Sequence, residues 1–94
     1  MAALLIDHHC ADFGAWLPHF EAHGATRAAA GVTASIVWQA ADDQNHVFVL
    51  IKHPDIEALR AFTQSEDIKQ RMQAAGVTGA PNFHYLEGGR KFEN

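Results

Sequence analysis

Histidine is the residue type in this chain that could do chemistry, since seven histidines occur among 94 residues. An imidazole near its own pKa can take or give a proton, as enolisation or oxidation of an aromatic substrate requires. His8 and His9 end the first apolar run, His53 follows the most apolar run, and His84 lies in the last. We predict His8 and His84 as catalytic acid/base groups. The alternative is that these histidines are edge or interface residues bonded to the backbone.

Further polar and aromatic side chains could complete such a site. Tyr85 is the only tyrosine, and its hydroxyl could orient a substrate oxygen, so it joins the catalytic candidates. Arg27 ends an otherwise apolar helical stripe and could either grip an acid group or cap the helix end. Cys10 follows the histidine pair, and neighbouring histidines can depress a thiol pKa. No nucleophile motif surrounds Cys10, however, and we expect a small buried residue. The candidate ligand-binding residues are Trp16, Phe20, Arg27, Trp38, Phe48 and Phe83.

A metal or cofactor site has weak support. His19 and His23 are spaced i,i+4 and share a helix face, yet no carboxylate or cysteine follows at a matching spacing. A solvent-facing or dimer-edge pair is the preferred interpretation. The single cysteine excludes an internal disulfide and a CxxC metal or redox motif. We therefore expect no metal and no cofactor.

Composition limits the remaining classes. The formal charge of −4 and the scattered basic residues argue against nucleic acid. No run approaches the roughly 18 apolar residues of a membrane helix, and the apolar start lacks the basic leader of a signal peptide. The expectation is a cytoplasmic protein whose residues 1–94 form a single domain.

Hydrophobic periodicity predicts the elements that position these residues. Strands are expected at residues 2–9, 32–40, 45–52 and 81–87. Asp12 is expected to cap a first helix that bends at Pro18 and ends at Gly31. Ile56 begins a short helix, and Ser65 caps a following helical segment that Gly76 closes.

The order β-α-β-β-α-β predicts an α+β, ferredoxin-like fold, a four-stranded antiparallel sheet with the helices on one face. We expect strands one and three to be central and parallel to each other. That direction would place His8, His9 and His53 at one edge of the sheet, with Asn82 and His84 of strand four nearby.

The third strand is apolar on both faces. Alternate side chains point to opposite sides of a sheet, so Val47, Val49 and Ile51 line one face, whereas Phe48 and Leu50 line the other. Helices on one side of a sheet can cover only one of these faces. A second copy of the chain is the simplest cover for the other, which predicts a homodimer.

Loose motifs along nearly the whole chain resemble a known family. They are His8-x-Cys10-x-Asp12-Phe13-x-x-Trp16 with Phe20, Arg27 and Gly31; Asp43-x-Asn45-x-Val47; and Ser65-x-x-Ile68-x-x-x-Met72-x-x-Ala75-Gly76-Val77. Together they resemble small proteins of the dimeric α/β-barrel superfamily, notably the antibiotic-biosynthesis monooxygenase-like domains. The resemblance implies a protomer whose open sheet face packs on a second protomer, with a pocket between sheet and helices.

Several activities occur in that superfamily, including cofactor-independent oxygenation, haem degradation, polyketide cyclisation and isomerisation. Haem-degrading members use an Asn, Trp and His set. Here His8 and His9 end the first strand where an Asn would be needed, and Trp16 and Trp38 do not fall where the set requires a Trp. The resemblance thus implies a small apolar or aromatic ligand and a cofactor-independent monooxygenase or isomerase. The alternative is a non-catalytic binding or regulatory dimer of the same fold.

Overall fold

One antiparallel sheet and four helices make up the structure, a computed structural model that describes residues 1–94. The elements are β1 (Ala2–Cys10), α1 (Phe13–Ala22), α2 (Gly24–Ala29), β2 (Ala34–Ala40), β3 (Asp43–His53), α3 (Ile56–Gln64), α4 (Glu66–Ala74) and β4 (Val77–Glu87). The strand order is β2-β3-β1-β4, and the helices pack on one face. The predicted α+β, ferredoxin-like fold class is confirmed.

The direction of the central strands corrects one expectation. β1 and β3 are antiparallel, with His8 opposite Val47 and His9 opposite His46. The predicted parallel pairing was wrong: the helical crossover leaves β2 parallel to β1, and the hairpin then reverses β3. His53 therefore lies opposite Ala2, at the far end of the sheet from His8 and His9.

The two faces of the sheet have different surroundings. The helix-covered face holds the buried core, which comprises Ala2, Leu4, Ile6, Cys10, Trp16, Val47, Val49, Ile51 and Leu59. The opposite face, called the open face below, carries the alternate residues of each strand. These are Ala3, Leu5, Asp7 and His9; Ala34, Ile36 and Trp38; His46, Phe48, Leu50 and Lys52; and Asn82, His84 and Leu86.

The first helix is interrupted at His23, five residues after the expected bend. α1 continues through Pro18 to Ala22, and α2 begins at Gly24. Side chains contact two backbone carbonyls near the break. The His23 ring lies 2.7 Å from the His19 carbonyl oxygen, and Arg27 donates to the Phe20 carbonyl. The sequence places glycine, a weak helix former, directly after the break.

The start of α1 is capped from another strand. Asp12 occupies the N-cap position but its side chain makes no capping hydrogen bond, which corrects the expected role. Instead, the Phe13 N–H donates to Asn45 Oδ1 at 2.9 Å, and Asn45 Nδ2 donates to the Ala11 carbonyl. Asn45 thus ties the helix to β3.

The other predicted helix boundaries are confirmed. Ser65 accepts from the Ile68 N–H at the start of α4, and Gly76 ends that segment with a φ of 84°. Gly31 has a φ of 97°, and a Cβ there would lie 2.6 Å from His53 Nε2, so this position requires glycine for two reasons. None of the helices has the length and apolar character needed to cross a membrane.

Candidate functional site

A cavity of about 80 Å³ lies between the covered face of the sheet and the helices. The sheet contributes Ile6, His8, Val49 and Ile51 to its wall. The segment from α1 to α2 contributes Trp16, His19, Phe20, His23, Thr26 and Arg27. The third side comes from α3, α4 and the residue after α4, with Phe62, Asp67, Ile68, Arg71, Met72 and Ala75. Most of the wall is apolar. The few polar groups are therefore the ones that could fix the orientation of a bound molecule.

His8 is the buried polar group of this cavity. The residue is 3% exposed, and neither ring nitrogen has a hydrogen-bond partner. Its ring centroid lies 5.5 Å from that of Trp16. Desolvation by burial lowers the pKa of His8 from 6.5 to about 4, against a smaller opposing effect of Asp7. At neutral pH the ring is therefore uncharged, with one nitrogen able to donate and the other to accept.

The β1–β4 pairing is irregular beside this histidine. Asp7 pairs with Asn82 and His9 with Thr78, so three residues of β4 lie opposite His8 alone. Gly79, inside the bulge, has a φ of 69°, and Pro81 cannot donate to a ladder. Bulges of this kind are over-represented beside functional sites, where they redirect a strand.

Two arginines line the same cavity in different states. Arg71 donates to Asp67 at 2.7 Å across one helical turn. Arg27 lies over the Phe20 ring, with 3.6 Å between Cζ and the ring centroid, and Nη1 donates to the Phe20 carbonyl at 2.6 Å. Burial lowers the pKa of Arg27. The chemistry available is a neutral imidazole among apolar walls, with a cationic group elsewhere in the same cavity wall.

The structure brings together four of the residues predicted as site residues, namely His8, Trp16, Phe20 and Arg27. Trp16 stacks against Phe20 with 5.2 Å between ring centroids. These two rings form much of the aromatic wall that α1 presents to the sheet.

Tyr85 and Phe83 lie on the covered face but outside this cavity. The Tyr85 hydroxyl lies 2.6 Å from Thr63 Oγ1, and Thr63 itself donates to the Arg60 carbonyl. Tyr85 is therefore the donor in the first of these bonds. Phe83 lines a separate groove between α4 and β4. A role for either residue with a ligand stays a prediction.

His84, Trp38 and Phe48 lie on the open face, on the other side of the sheet from His8. His84 and Tyr85 could not have met in one cavity, because adjacent strand residues point to opposite faces. The open face also holds a hydrogen bond between His46 Nε2 and Asp7 Oδ1, 2.6 Å apart. Any contribution of His84, Trp38 or Phe48 to a site would therefore be separate from the His8 cavity.

His19, His23 and Cys10 are the remaining candidate residues. His19 and His23 border the cavity, but the structure assembles no three His, Cys, Asp or Glu side chains as a metal would need. Cys10 is buried and contacts the Asn45 carbonyl at 3.6 Å. Burial raises the pKa of its thiol, opposite to the depressed value considered from the sequence.

The contribution of α4 was missed by the sequence analysis. Asp67 and Arg71 line the cavity beside Ile68 and Met72, although only the apolar stripe of this helix had been recognised, as packing. The available signal was the i,i+4 spacing of an acid and an arginine next to that stripe.

No protein-family model matches the chain, and no curated protein is similar to it in sequence. Solved structures share its fold. SnoaB, a cofactor-independent oxygenase from Streptomyces nogalater, is 12% identical with a TM-score of 0.78 over 99% of this chain and 97% of that one. A candidate antibiotic biosynthesis monooxygenase from Caulobacter crescentus CB15 is 17% identical with a TM-score of 0.73 over 95% and 90% of the two chains.

A third structure, a candidate antibiotic biosynthesis monooxygenase from Deinococcus radiodurans, is 14% identical with a TM-score of 0.71 over 100% of this chain and 98% of that one. These likenesses cover nearly the whole chain. The resemblance to antibiotic-biosynthesis monooxygenase-like domains is thereby confirmed at the level of the fold.

Proposed function

We propose that this protein binds a small single-ring molecule in the His8 cavity and oxidises it with dioxygen, without a cofactor. The observation that carries the proposal is the state of His8, a residue 3% exposed whose two ring nitrogens have no partner. Buried polar groups in folded proteins are almost always hydrogen-bonded. A ligand hydroxyl or carbonyl in the cavity would supply the missing bond.

Leaving such a group unpaired costs about 1–3 kcal/mol. Packing does not require it, because an aliphatic residue of similar volume would fill the position on β1 between Ile6 and Cys10. A group that destabilises the empty protein and borders a cavity is a good candidate for ligand recognition.

The size of the cavity restricts the ligand. Its volume is about 80 Å³, whereas an engineered protein cavity that takes up benzene measures about 150 Å³. A fused multi-ring compound would not fit without displacing α1 or α4. A single ring already exceeds the enclosed volume and would extend into the mouth of the cavity, so one ring is the largest ligand that this geometry favours.

Neutral His8 could act on a phenolic ligand as a general base. It would accept the phenolic proton, and the electron-rich phenolate would then react with dioxygen. For a hydroquinone the balanced reaction is hydroquinone plus O₂ to hydroxyquinone plus water: one oxygen atom enters the ring, the other leaves as water, and the substrate supplies all the electrons. The fold shared with a cofactor-independent oxygenase supports this reaction class by analogy.

Binding without turnover is the second candidate function. It is favoured by the pKa of His8, which burial lowers to about 4, since a general base works best with a pKa near the operating pH. A bound phenolate would favour the imidazolium and so oppose this shift. The two candidate functions therefore differ in whether ligand binding raises the pKa of His8 enough for it to act as a general base.

Oxygen uptake with methylhydroquinone separates these candidates. Turnover predicts uptake above the uncatalysed rate and transfer of isotopically labelled oxygen into the quinone, both lost in His8→Leu. Binding alone predicts a shift of the Trp16 indole N–H signal with no uptake. If methylhydroquinone neither shifts Trp16 nor consumes oxygen, both candidates fail for this ligand class.

We also propose that a second copy of the chain covers the open face. Trp38 and Ile36 remain 63% and 38% exposed, and they lie opposite Phe48 and Leu50 on the same face. Leu86, 43% exposed, lies on this face opposite Ala3. Contiguous apolar patches of this kind mark interaction surfaces. A twofold pairing of identical sheets would bury the patch on both partners.

Sedimentation velocity tests the pairing. Trp38→Asp should convert the dimer to a monomer, because it places a charge within the apolar patch. Phe92→Asp is the matched control, since Phe92 is 79% exposed in the C-terminal segment beyond the sheet. A wild-type monomer at micromolar concentration would refute the dimer.

We place the protein in the cytoplasm, where a free thiol such as Cys10 stays reduced.

A further inference from the structure

Arg27 has hydrogen-bonding capacity that the protein does not use. Nη1 donates to the Phe20 carbonyl, and the guanidinium lies over the Phe20 ring with 3.6 Å between Cζ and the ring centroid. A guanidinium carries five N–H donors, and the Phe20 carbonyl is the one protein acceptor bonded to them. None of the ion pairs in the structure includes Arg27.

The neighbouring Arg71 provides an internal comparison. It borders the same cavity, and its charge is neutralised by Asp67 at 2.7 Å. Arg27 is half-buried, and burial lowers its pKa, yet it has no counter-ion. A partly desolvated cation without a partner is unfavourable, so this group, like His8, would be stabilised by a ligand.

The charges around the cavity have the sign that favours an anion. Two arginines and one aspartate line it, whereas the whole chain carries a formal charge of −4. The positive charge at this site is therefore local. Among anions, a carboxylate matches the planar fork of a guanidinium.

We infer that the ligand of this cavity is a single-ring carboxylic acid, its carboxylate bound by Arg27 and its hydroxyl or carbonyl bonded to His8. The inference rests on the proposed cavity function and adds the substrate class. The ring would lie against Trp16 and Phe20, with the acid group at the α2 side of the cavity.

The test uses two probes of nearly equal shape, 4-hydroxyphenylacetate and 4-hydroxyphenylacetamide. The chain has two tryptophans. Trp16 borders the cavity, whereas Trp38 lies on the open face. Their indole N–H signals, assigned with Trp38→Phe, report cavity binding and open-face binding separately. The acid should bind about tenfold or more tightly than the amide, as a charge-assisted hydrogen bond provides.

Variants assign the preference to a residue. Arg27→Gln should abolish the preference for the acid, because it weakens binding of the acid about tenfold more than binding of the amide. Arg90→Gln, which removes the same charge from the exposed C-terminal segment, should retain the preference. Should Arg27→Gln fail to fold, Arg27→Lys keeps the charge but lacks the planar fork, and should weaken binding of the acid more than binding of the amide.

The outcomes separate the two claims. If the wild-type protein binds acid and amide equally, the carboxylate inference is wrong and the cavity proposal stands. If neither probe shifts Trp16 although methylhydroquinone does, the carboxylate inference is wrong and the cavity proposal stands. If methylhydroquinone also leaves Trp16 unshifted, the proposed function fails and the inference with it. A preference for the acid that survives unchanged in the Arg27 variants overturns the assignment to Arg27.

Discussion

Replacing His8 by leucine should remove a pH-dependent loss of stability from the empty protein. Burial lowers the pKa of His8 from 6.5 to about 4, so the unfolded chain binds a proton at this site before the folded protein does. The contribution of His8 to stability is therefore constant above about pH 6.5 and falls as the pH drops towards about 4.

The magnitude follows from the two pKa values. Between about pH 7.5 and pH 5, His8 should remove about 2 kcal/mol from the free energy of unfolding. The residue is 3% exposed, so solvent screening does not reduce this figure much. At about pH 7.5 the variant should already be more stable by about 1 kcal/mol, because it deletes two unpaired buried nitrogens.

Urea denaturation of both proteins at several pH values provides the assay. Only the difference between wild type and His8→Leu counts, since the other titrating groups are common to both. The difference should widen by about 2 kcal/mol as the pH falls from about 7.5 to 5. Parallel curves, or a His8→Leu variant that is less stable at neutral pH, would mean that His8 is solvated or bonded in the protein and would refute the description of the cavity.

Three further substitutions test the elements around the site. Asn45→Ala should lower the free energy of unfolding by about 1 kcal/mol through loss of the α1 cap. Asp12→Ala removes no capping bond and should lower the same free energy by only a few tenths of a kcal/mol. A larger effect of Asp12→Ala than of Asn45→Ala would contradict the cap assignment. Gly31→Ala should lower the melting temperature by several degrees, because Gly31 has a φ of 97° and an added Cβ would collide with His53. Gly89→Ala is the control, since a Cβ there meets nothing. An effect of Gly31→Ala no larger than that of the control would be inconsistent with this geometry. Tyr85→Phe should cost about 1 kcal/mol by breaking its bond to Thr63 and leave binding of 4-hydroxyphenylacetamide unchanged; a selective loss of binding would place Tyr85 in the site after all.

The order of elements could be predicted because each strand and helix carries its own periodicity. The two-faced run from Val47 to Ile51 is the clearest case: its alternate residues do lie on opposite faces, one under the helices and one open. Ser65 is a residue type preferred at helix N-caps, and Gly76 is a residue type preferred just after helix ends. Both helix boundaries are where expected.

The errors arose where one element depends on another. The direction of β3 follows from the hairpin and the crossover together, not from its own residues, and the mistake moved His53 to the wrong end of the sheet. The interruption of the first helix depends on which side chains reach the carbonyls of His19 and Phe20. The cap from Asn45 depends on a strand far away in sequence.

The candidate site could be predicted only in part for the same reason. Strand parity places His8 with Leu4 and Ile6 on the covered face, and helix periodicity places Trp16 and Phe20 towards it. The side that α4 contributes required knowing which helices face each other across the sheet. No local pattern carries that information.

A crystal structure of the protein with 4-hydroxyphenylacetate tests the central claim most directly. We expect the ring beside Trp16, the hydroxyl within hydrogen-bond distance of a His8 nitrogen, and the carboxylate on Arg27. A saturated complex in which the cavity stays empty, or in which the molecule lies on the open face, would contradict it.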